Sequence, residues 1–167
     1  TYNPVIYELS KENKELIPKT IKHIFIISDR RERIETLRKI AKAVNSDKTM
    51  IFINTKYDLE ESLQKLQYHN YNVAALAGNI DKQSKKKAVE DFQNGRLQYL
   101  LATDVAARGL QIDHVSTVIN VNLPEEPTEY LHRAGRCGRN NEQGLCISII
   151  TENELNKIKK YQKAFNI

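Results

Sequence analysis

The stretch TMIFINTKYDLEESLQKL, from Thr49 to Leu66, holds a strand pattern followed directly by a helix pattern. Its first five residues form a short β-rich run, which predicts a strand buried on both faces. Leu59, Leu63 and Leu66 then recur at helical steps, and Thr55 is placed to cap the helix. A strand that leads straight into a helix is the repeating unit of a parallel α/β domain.

The same unit recurs along the chain. A helical pattern follows Asp29, a plausible N-cap, and a third helix is predicted from Asp81 to Asn94, ending at Gly95. The C-terminus is predicted to end a helix that begins near Glu152. This alternation predicts a three-layer α/β domain with a mainly parallel sheet covered by helices on both faces. The other predicted strands span 23–27, 73–76, 98–102, 117–121 and 145–150.

The length and composition predict one compact domain. The chain has 167 residues, of which 40% are hydrophobic, and contains neither an internal repeat nor a low-complexity segment. Residues 21–167 are predicted to form the domain, and residues 1–20, with Pro4 and Pro18, an interdomain linker and lead-in segment. Because the first residue is Thr1, we expect the chain to be a piece of a longer protein.

The composition also limits the functional classes. The sequence contains neither an apolar run of about 20 residues nor a signal-peptide pattern, which predicts a cytoplasmic protein without a membrane partner. Cys137 and Cys146 lack a metal-ligand spacing, so we expect reduced thiols and no metal site. A net charge of +5 favours nucleic acid only weakly.

Polar loops follow the predicted strands, where open parallel sheets bind ligands. Thr55 and its neighbour Asn54 could place a helix N-terminus against an anion, or Thr55 could simply cap the helix. Arg108 and Gly109 could form a ligand contact or an ordinary surface turn. The predicted ligand-facing loops contain 54–55, 77–79, 103–104 and 122–124.

The segment YLHRAGRCGR, from Tyr130 to Arg139, concentrates positive charge. Arg133, Arg136 and Arg139 recur at every third residue, so a helix would place the first two near one edge, and such a row suits triphosphate oxygens. The alternative is an ion-paired surface using Glu125, Glu126 and Glu129. His132 could instead be a core histidine. The sequence contains no GxxxxGKS or GxxxxGKT loop, so nucleotide binding would need a partner domain.

Three segments carry a family resemblance. IFINT (51–55), LLATDVAARGLQI (100–112) and EYLHRAGRCGR (129–139) resemble motifs IV, V and VI in the second, C-terminal RecA-like domain of DEAD-box ATP-dependent RNA helicases. The resemblance extends from about Lys22 to about Ile150. It implies a RecA-like fold and the role of second motor domain in RNA unwinding or remodelling.

The resemblance implies a site for ATP with Mg²⁺, bound mainly by an N-terminal RecA-like domain outside this chain. Arg136 and Arg139 would be arginine fingers for the γ-phosphate, and His132 would join the network that couples ATP to RNA. Gly109 and Gln111 would lie beside the ATP, with Gln111 at the ribose. By itself, the chain is expected to be inactive as an ATPase.

The resemblance also implies a partner, single-stranded or duplex RNA. Thr55, Gly78, Lys85 and Thr103 would lie along the RNA backbone, with Gly78 permitting close approach. Such contacts give affinity without base specificity, and we expect the chain alone to bind RNA weakly and in a salt-sensitive way.

The chain departs from the family pattern at two places. The family has HGD followed by Gln and Arg, where this chain has Ala77, Gly78, Asn79, Lys82 and Lys85. Gln111 replaces the acid of the RGxD motif. These departures keep open a non-catalytic RNA-binding scaffold with a decayed motor, and a DNA helicase of the same superfamily is a further alternative.

Overall fold

The computed structural model describes residues 5–7, 17–77 and 79–165. They contain one seven-stranded sheet in the order β1-β2-β7-β6-β3-β5-β4. Strand β1 pairs antiparallel with β2, and all other neighbours pair in parallel. The strands are β1 (Val5–Tyr7), β2 (Ile21–Ile27), β3 (Thr49–Phe52), β4 (Val73–Leu76), β5 (Tyr99–Ala102), β6 (Thr117–Asn120) and β7 (Gly144–Ile150).

Helices connect the parallel strands. Short 3₁₀ turns at Arg30–Glu32 and Glu152–Glu154 precede the first and the last of them. The α-helices are α1 (Arg33–Val44), α2 (Lys56–Tyr68), α3 (Lys82–Gln93), α4 (Asp104–Ala107), α5 (Pro127–Ala134) and α6 (Leu155–Phe165).

Two apolar clusters cover the two faces of the sheet. Leu37 of α1 and Leu59 of α2 belong to one cluster, whereas Phe92 of α3, Ala134 of α5 and Ile158 of α6 belong to the other. The predicted three-layer α/β architecture is therefore confirmed. Because the strands are parallel, the loops after β3, β4, β5 and β6 all meet at the carboxyl edge of the sheet.

The residues predicted from the sequence to begin or end helices were confirmed at some helices and only in part at others. Thr55 caps α2 as predicted. The predicted start of α3 at Asp81 proves to be its N-cap, and Gly95 follows α3 with a φ of +76°. Asp29 occupies a cap position, but its side chain makes no capping hydrogen bond and a 3₁₀ turn comes before α1. The six predicted strands are all present, and their ends differ from the prediction by at most two residues.

The described part of the lead-in segment packs on the domain. The side chain of Ile17 is buried in the core, and the Thr20 hydroxyl donates a hydrogen bond of 2.8 Å to the carbonyl of Gly138. The division of the chain at residue 20 stays a prediction. Both cysteines are free and buried, and none of the helices described here is long and apolar enough to cross a membrane.

Candidate functional site

Two threonines predicted to contact RNA begin helices at the carboxyl edge. The Thr55 hydroxyl accepts a hydrogen bond of 3.2 Å from the amide of Asp58 and donates one of 2.9 Å to its carboxylate. The Thr103 hydroxyl accepts a hydrogen bond of 3.3 Å from the amide of Ala106. Both threonines cap their helices, so the capping interpretation of Thr55 is correct, and each hydroxyl lies at a helix N-terminus.

The third RNA candidate, Lys85, lies near the start of α3. Asp81 caps this helix with hydrogen bonds of 2.8 Å from the Ser84 amide and 2.6 Å from the Ser84 hydroxyl, which lower the pKa of Asp81. Lys85 is half-buried and Lys82 is exposed. The remaining RNA candidate, Gly78, lies outside the described residues.

An open pocket of about 540 Å³ lies at the same edge. We call it the phosphate pocket, because most of its charged side chains are cationic. It brings together all five residues predicted to act on ATP, from the loop after α4 and the end of α5. Its lining is Phe52, Asp104, Ala107, Arg108, Gly109, Leu110, Gln111, Glu129, Leu131, His132, Arg133, Gly135, Arg136 and Arg139.

Arg136 is held in the phosphate pocket by backbone groups. Its guanidinium donates a hydrogen bond of 2.9 Å to the carbonyl of Ala107 and another to the carbonyl of Leu110. Burial lowers its pKa, and the nearby charge of Arg139 lowers it further, yet an arginine stays cationic in a protein. Two of its five N–H groups are thus used for positioning, and the charge is not neutralised by them.

Arg139 is more exposed than Arg136. Its Nε donates a hydrogen bond of 2.9 Å to the carbonyl of Gly135. No carboxylate among the described residues forms an ion pair with either arginine. The ion-paired surface considered from the sequence is therefore wrong for these two residues.

Arg133 does not belong to the expected row of phosphate-binding arginines. Its side chain is 1% exposed and forms a two-point contact with Asp104, with N···O distances of 2.7 and 2.6 Å. The other N–H groups donate to the Asn54 side chain at 2.7 Å, the Asn122 carbonyl at 2.8 Å and the Asn120 side chain at 3.4 Å. All five donors are used, so the sequence-based row shortens to Arg136 and Arg139.

His132 and Glu129 lie together at the mouth of the phosphate pocket. The His132 side chain is 70% exposed, so the core-histidine alternative is wrong. One carboxylate oxygen of Glu129 lies 3.9 Å from Nδ1 of His132, and the other lies 3.4 Å from Nη2 of Arg108. From the sequence, Glu129 was considered only as an ion-pair partner for Arg133, Arg136 and Arg139. In the structure its neighbours are Arg108 and His132 instead.

The loop after α4 brings Gly109 and Gln111 into the phosphate pocket. Gly109 has a φ of +75°, a left-handed conformation that favours glycine. Gln111 is exposed, and its backbone carbonyl accepts a hydrogen bond of 3.0 Å from Gln93. The side-chain amide of Gln111 therefore stands at the pocket with a donor and an acceptor, which suit a sugar hydroxyl.

Sequence reasoning missed the structural roles of Asn54 and Asn122. The Asn122 side chain accepts a hydrogen bond of 3.0 Å from the Asn54 amide, and the Asn54 side chain donates one of 2.9 Å to the Leu123 carbonyl. With Arg133, these contacts join the loops after β3, β5 and β6. The sequence did offer a signal for these roles, since Asn54 and Asn122 are polar residues that closely follow buried strands.

The phosphate pocket suits an anionic group better than a metal ion. Of its two carboxylates, Asp104 is occupied by Arg133 and Glu129 by Arg108, which leaves Arg136 and Arg139 without an ion-pair partner among the described residues. Within the described ranges, no group of three or more His, Cys, Asp and Glu side chains could hold a metal ion. The described residues thus fit phosphate oxygens but do not fit Mg²⁺.

Comparison with known families gives one match. The family described as "Helicase conserved C-terminal domain" matches residues 32–141. A similar protein is the DEAD-box ATP-dependent RNA helicase CshC of Bacillus cereus, which is 35% identical over 93% of this chain and 39% of its own length. The chain thus spans about two fifths of the length of the first curated relatives it matches.

Solved structures agree with this match. The C-terminal domain of the DEAD-box protein Dbp5 superimposes with a TM-score of 0.81 and 28% identity, over 92% of this chain and 88% of that domain. Dbp5 of S. cerevisiae bound to RNA and ADP BeF3 superimposes with a TM-score of 0.79 and 29% identity, over 92% of this chain and 40% of that one.

Proposed function

Since this chain belongs to the helicase C-terminal domain family and is the second RecA-like domain of a DEAD-box protein, we propose that it completes an RNA-dependent ATPase and RNA helicase. In this proposal Arg136 and Arg139 bind the γ-phosphate of ATP, which the first RecA-like domain holds. The RNA strand then lies along the carboxyl edge of the sheet.

The observation that best supports the proposal is that Arg136 is partly buried without a carboxylate partner among the described residues. Its guanidinium is partly buried and positioned by two backbone carbonyls, and no described carboxylate pairs with it. Burying a cation without a counter-ion is unfavourable, so the position is best explained by an anion that arrives in the active complex. Arginine fingers contribute roughly 10³ to 10⁵ in rate in other nucleotide hydrolases.

The neighbouring residues have supporting roles in the same proposal. Gln111 hydrogen-bonds the ribose, and the left-handed backbone at Gly109 shapes the loop so that it approaches the nucleotide. His132 is exposed at the mouth of the phosphate pocket, where it reaches the opposing domain. The Mg²⁺ ion stays with the first domain. Two free, buried thiols fit the reducing conditions of the cytoplasm, which we propose as the location.

RNA binding is assigned to Thr55, Gly78, Lys85 and Thr103. The Thr55 and Thr103 hydroxyls stand at the N-termini of α2 and α4, where free backbone N–H groups favour a phosphate. Lys85 adds a point charge in place of the family's arginine and lacks its bidentate geometry. These groups bind the phosphate backbone, which supplies affinity without sequence information.

The test is ATP hydrolysis by the full-length protein with single-stranded RNA, single-stranded DNA or no nucleic acid. We expect RNA to stimulate hydrolysis and Arg136→Ala to lower kcat by roughly 10³-fold or more. Arg136→Lys should recover little of the lost activity, because an ammonium lacks the planar fork with which a guanidinium binds two phosphate oxygens. Arg96→Ala is the matched control, since Arg96 is 73% exposed and precedes β5 at the amino edge of the sheet.

The other outcomes point to the alternatives. RNA-stimulated hydrolysis that survives in Arg136→Ala would contradict the finger role. Equal stimulation by DNA would favour a DNA helicase. Absent hydrolysis in the native protein, with RNA binding retained, would favour the non-catalytic scaffold.

A further inference from the structure

A second polar pocket lies at the opposite edge of the sheet. It encloses about 550 Å³ and is built from the C-terminal ends of α1 and α2 and from residues that precede β4 and β5. We call it the amide pocket. Its polar lining includes Arg38, Lys42, Asn45, Asn70, Asn72 and Gln98. The phosphate pocket lies beyond the other ends of the strands, so the two pockets are separate.

The side-chain amides of this pocket are oriented by the backbone. The Gln98 amide nitrogen donates hydrogen bonds of 2.8 Å to the Ser46 carbonyl and 3.2 Å to the Asn45 side chain. The Asn72 amide nitrogen donates to the Arg96 carbonyl. With both nitrogens held by the body of the domain, the amide oxygens of Asn72 and Gln98 remain as acceptors at fixed positions.

Aromatic rings border the amide pocket. Tyr68 is 82% exposed, and its ring contacts the ring of His69 edge to face at a centroid distance of 5.2 Å. His69 and Tyr71 line the pocket. Tyr71 is fixed by a hydrogen bond of 3.3 Å from its hydroxyl to the Arg38 carbonyl. A large, exposed and partly ordered aromatic surface is therefore available for stacking.

The charged groups of the amide pocket are cationic. The Lys42 ammonium is exposed and forms no ion pair with a described residue. Arg38 uses Nε and Nη2 to bind Glu35 and retains Nη1. The lining contains no acidic residue among the residues that the structure describes.

We propose that the amide pocket binds unpaired bases of RNA, an inference that rests on the RNA substrate proposed above. A base stacks on Tyr68, whose ring the His69 ring supports edge to face. The base edge donates to the amide oxygens of Asn72 and Gln98, and the phosphate meets Lys42. Aromatic platforms beside cations are a common way to hold single strands. This site reads bases, whereas the carboxyl edge contacts only the phosphate backbone.

The chemistry of the pocket specifies a base preference. Adenine and cytosine each carry an exocyclic amino group with two donor N–H bonds, whereas uracil offers only its single ring N3–H to the two acceptors. Fixed acceptors at Asn72 and Gln98 therefore favour adenine and cytosine over uracil.

The test uses the 167-residue chain with fluorescent RNA decamers of adenine, cytosine or uracil, without ATP. We expect the adenine or cytosine decamer to bind at least fivefold more tightly than the uracil decamer. Tyr68→Ala should weaken that binding about tenfold, in line with the loss of one stacked base, and Tyr68→Phe should restore it. Lys42→Ala should weaken it severalfold, and Lys159→Ala, on the exposed side of α6, is the matched lysine control.

Equal binding of the three decamers, wild-type affinity in Tyr68→Ala, or no binding at all would overturn the inference. Its failure is distinguishable from failure of the motor proposal. RNA-stimulated hydrolysis that depends on Arg136 can persist when the amide pocket proves inert, and pocket-dependent binding of decamers requires no hydrolysis.

Discussion

Two arginines three residues apart show how burial and partners decide the role of a side chain. Arg133 is enclosed and has an acceptor for every N–H group, including both oxygens of Asp104. Arg136 has only two backbone carbonyls and keeps its net charge available. Arg133 therefore stabilises the site, whereas Arg136 keeps N–H groups for the phosphate that we propose it binds.

At the residue scale, we predict that Arg133→Lys is strongly destabilising. A lysine has three donors and no planar fork, so Asp104 and Asn54 would lose partners that are now 2.6 to 2.7 Å away. A buried acceptor left without a donor costs about 1–3 kcal/mol, and urea unfolding of the chain measures the summed loss. Arg108→Lys is the control, because that side chain is 70% exposed and its change should stay within about 0.5 kcal/mol. An equal, small effect of both changes would contradict the proposed role of Arg133.

At the element scale, helix α5 is fixed to the sheet through Tyr130. The Tyr130 hydroxyl forms a hydrogen bond of 2.5 Å with Nδ1 of His23 on β2, and Cys146 on β7 donates to it at 3.8 Å. The Tyr130 ring also packs against Tyr161 of α6 at a centroid distance of 5.2 Å. The helix that carries His132 toward the phosphate pocket is thus anchored on three neighbouring elements.

This anchor predicts an acid-sensitive fold. Burial lowers the pKa of His23 from 6.5 to about 4, so the unfolded chain binds a proton more readily between these values. The stabilising contribution of neutral His23 is present above pH 6.5 and is lost as the pH falls toward 4. We expect roughly 1 to 2 kcal/mol less stability at pH 5 than at pH 7, measured by urea unfolding. His23→Gln keeps a polar partner for Tyr130 and should flatten this dependence; an unchanged slope would show that another group is responsible.

The success of sequence reasoning also depended on the element. Strands β3 and β5 were predictable because their apolar runs are fully buried, and Thr55 because its cap is a local interaction. The placement of Arg133 was not predictable, because its acceptors come from loops after three different strands. The backbone carbonyls that hold Arg136 carry no side-chain signature, and the amide pocket combines residues from three separate segments of the chain.

For the molecule as a whole, the arrangement predicts that the chain alone does not hydrolyse ATP. The phosphate pocket supplies cations on an open surface, but the described residues provide neither a metal site nor a loop that encloses a nucleotide. Phosphate release from ATP by the purified chain should therefore equal that of Arg136→Ala and of buffer. Turnover by the purified chain that disappears in Arg136→Ala would show that this domain is catalytically complete.

The turn that carries Arg139 also has a mechanical aspect. Gly138 has a φ of +68°, and a Cβ there would lie 2.5 Å from Ile21 and 2.9 Å from the Thr20 hydroxyl, which itself bonds the Gly138 carbonyl. The start of the domain and the turn next to Arg139 are thus in direct contact, with no compliant layer between them. A displacement of the backbone at Thr20 would therefore be transmitted directly to the turn that precedes Arg139.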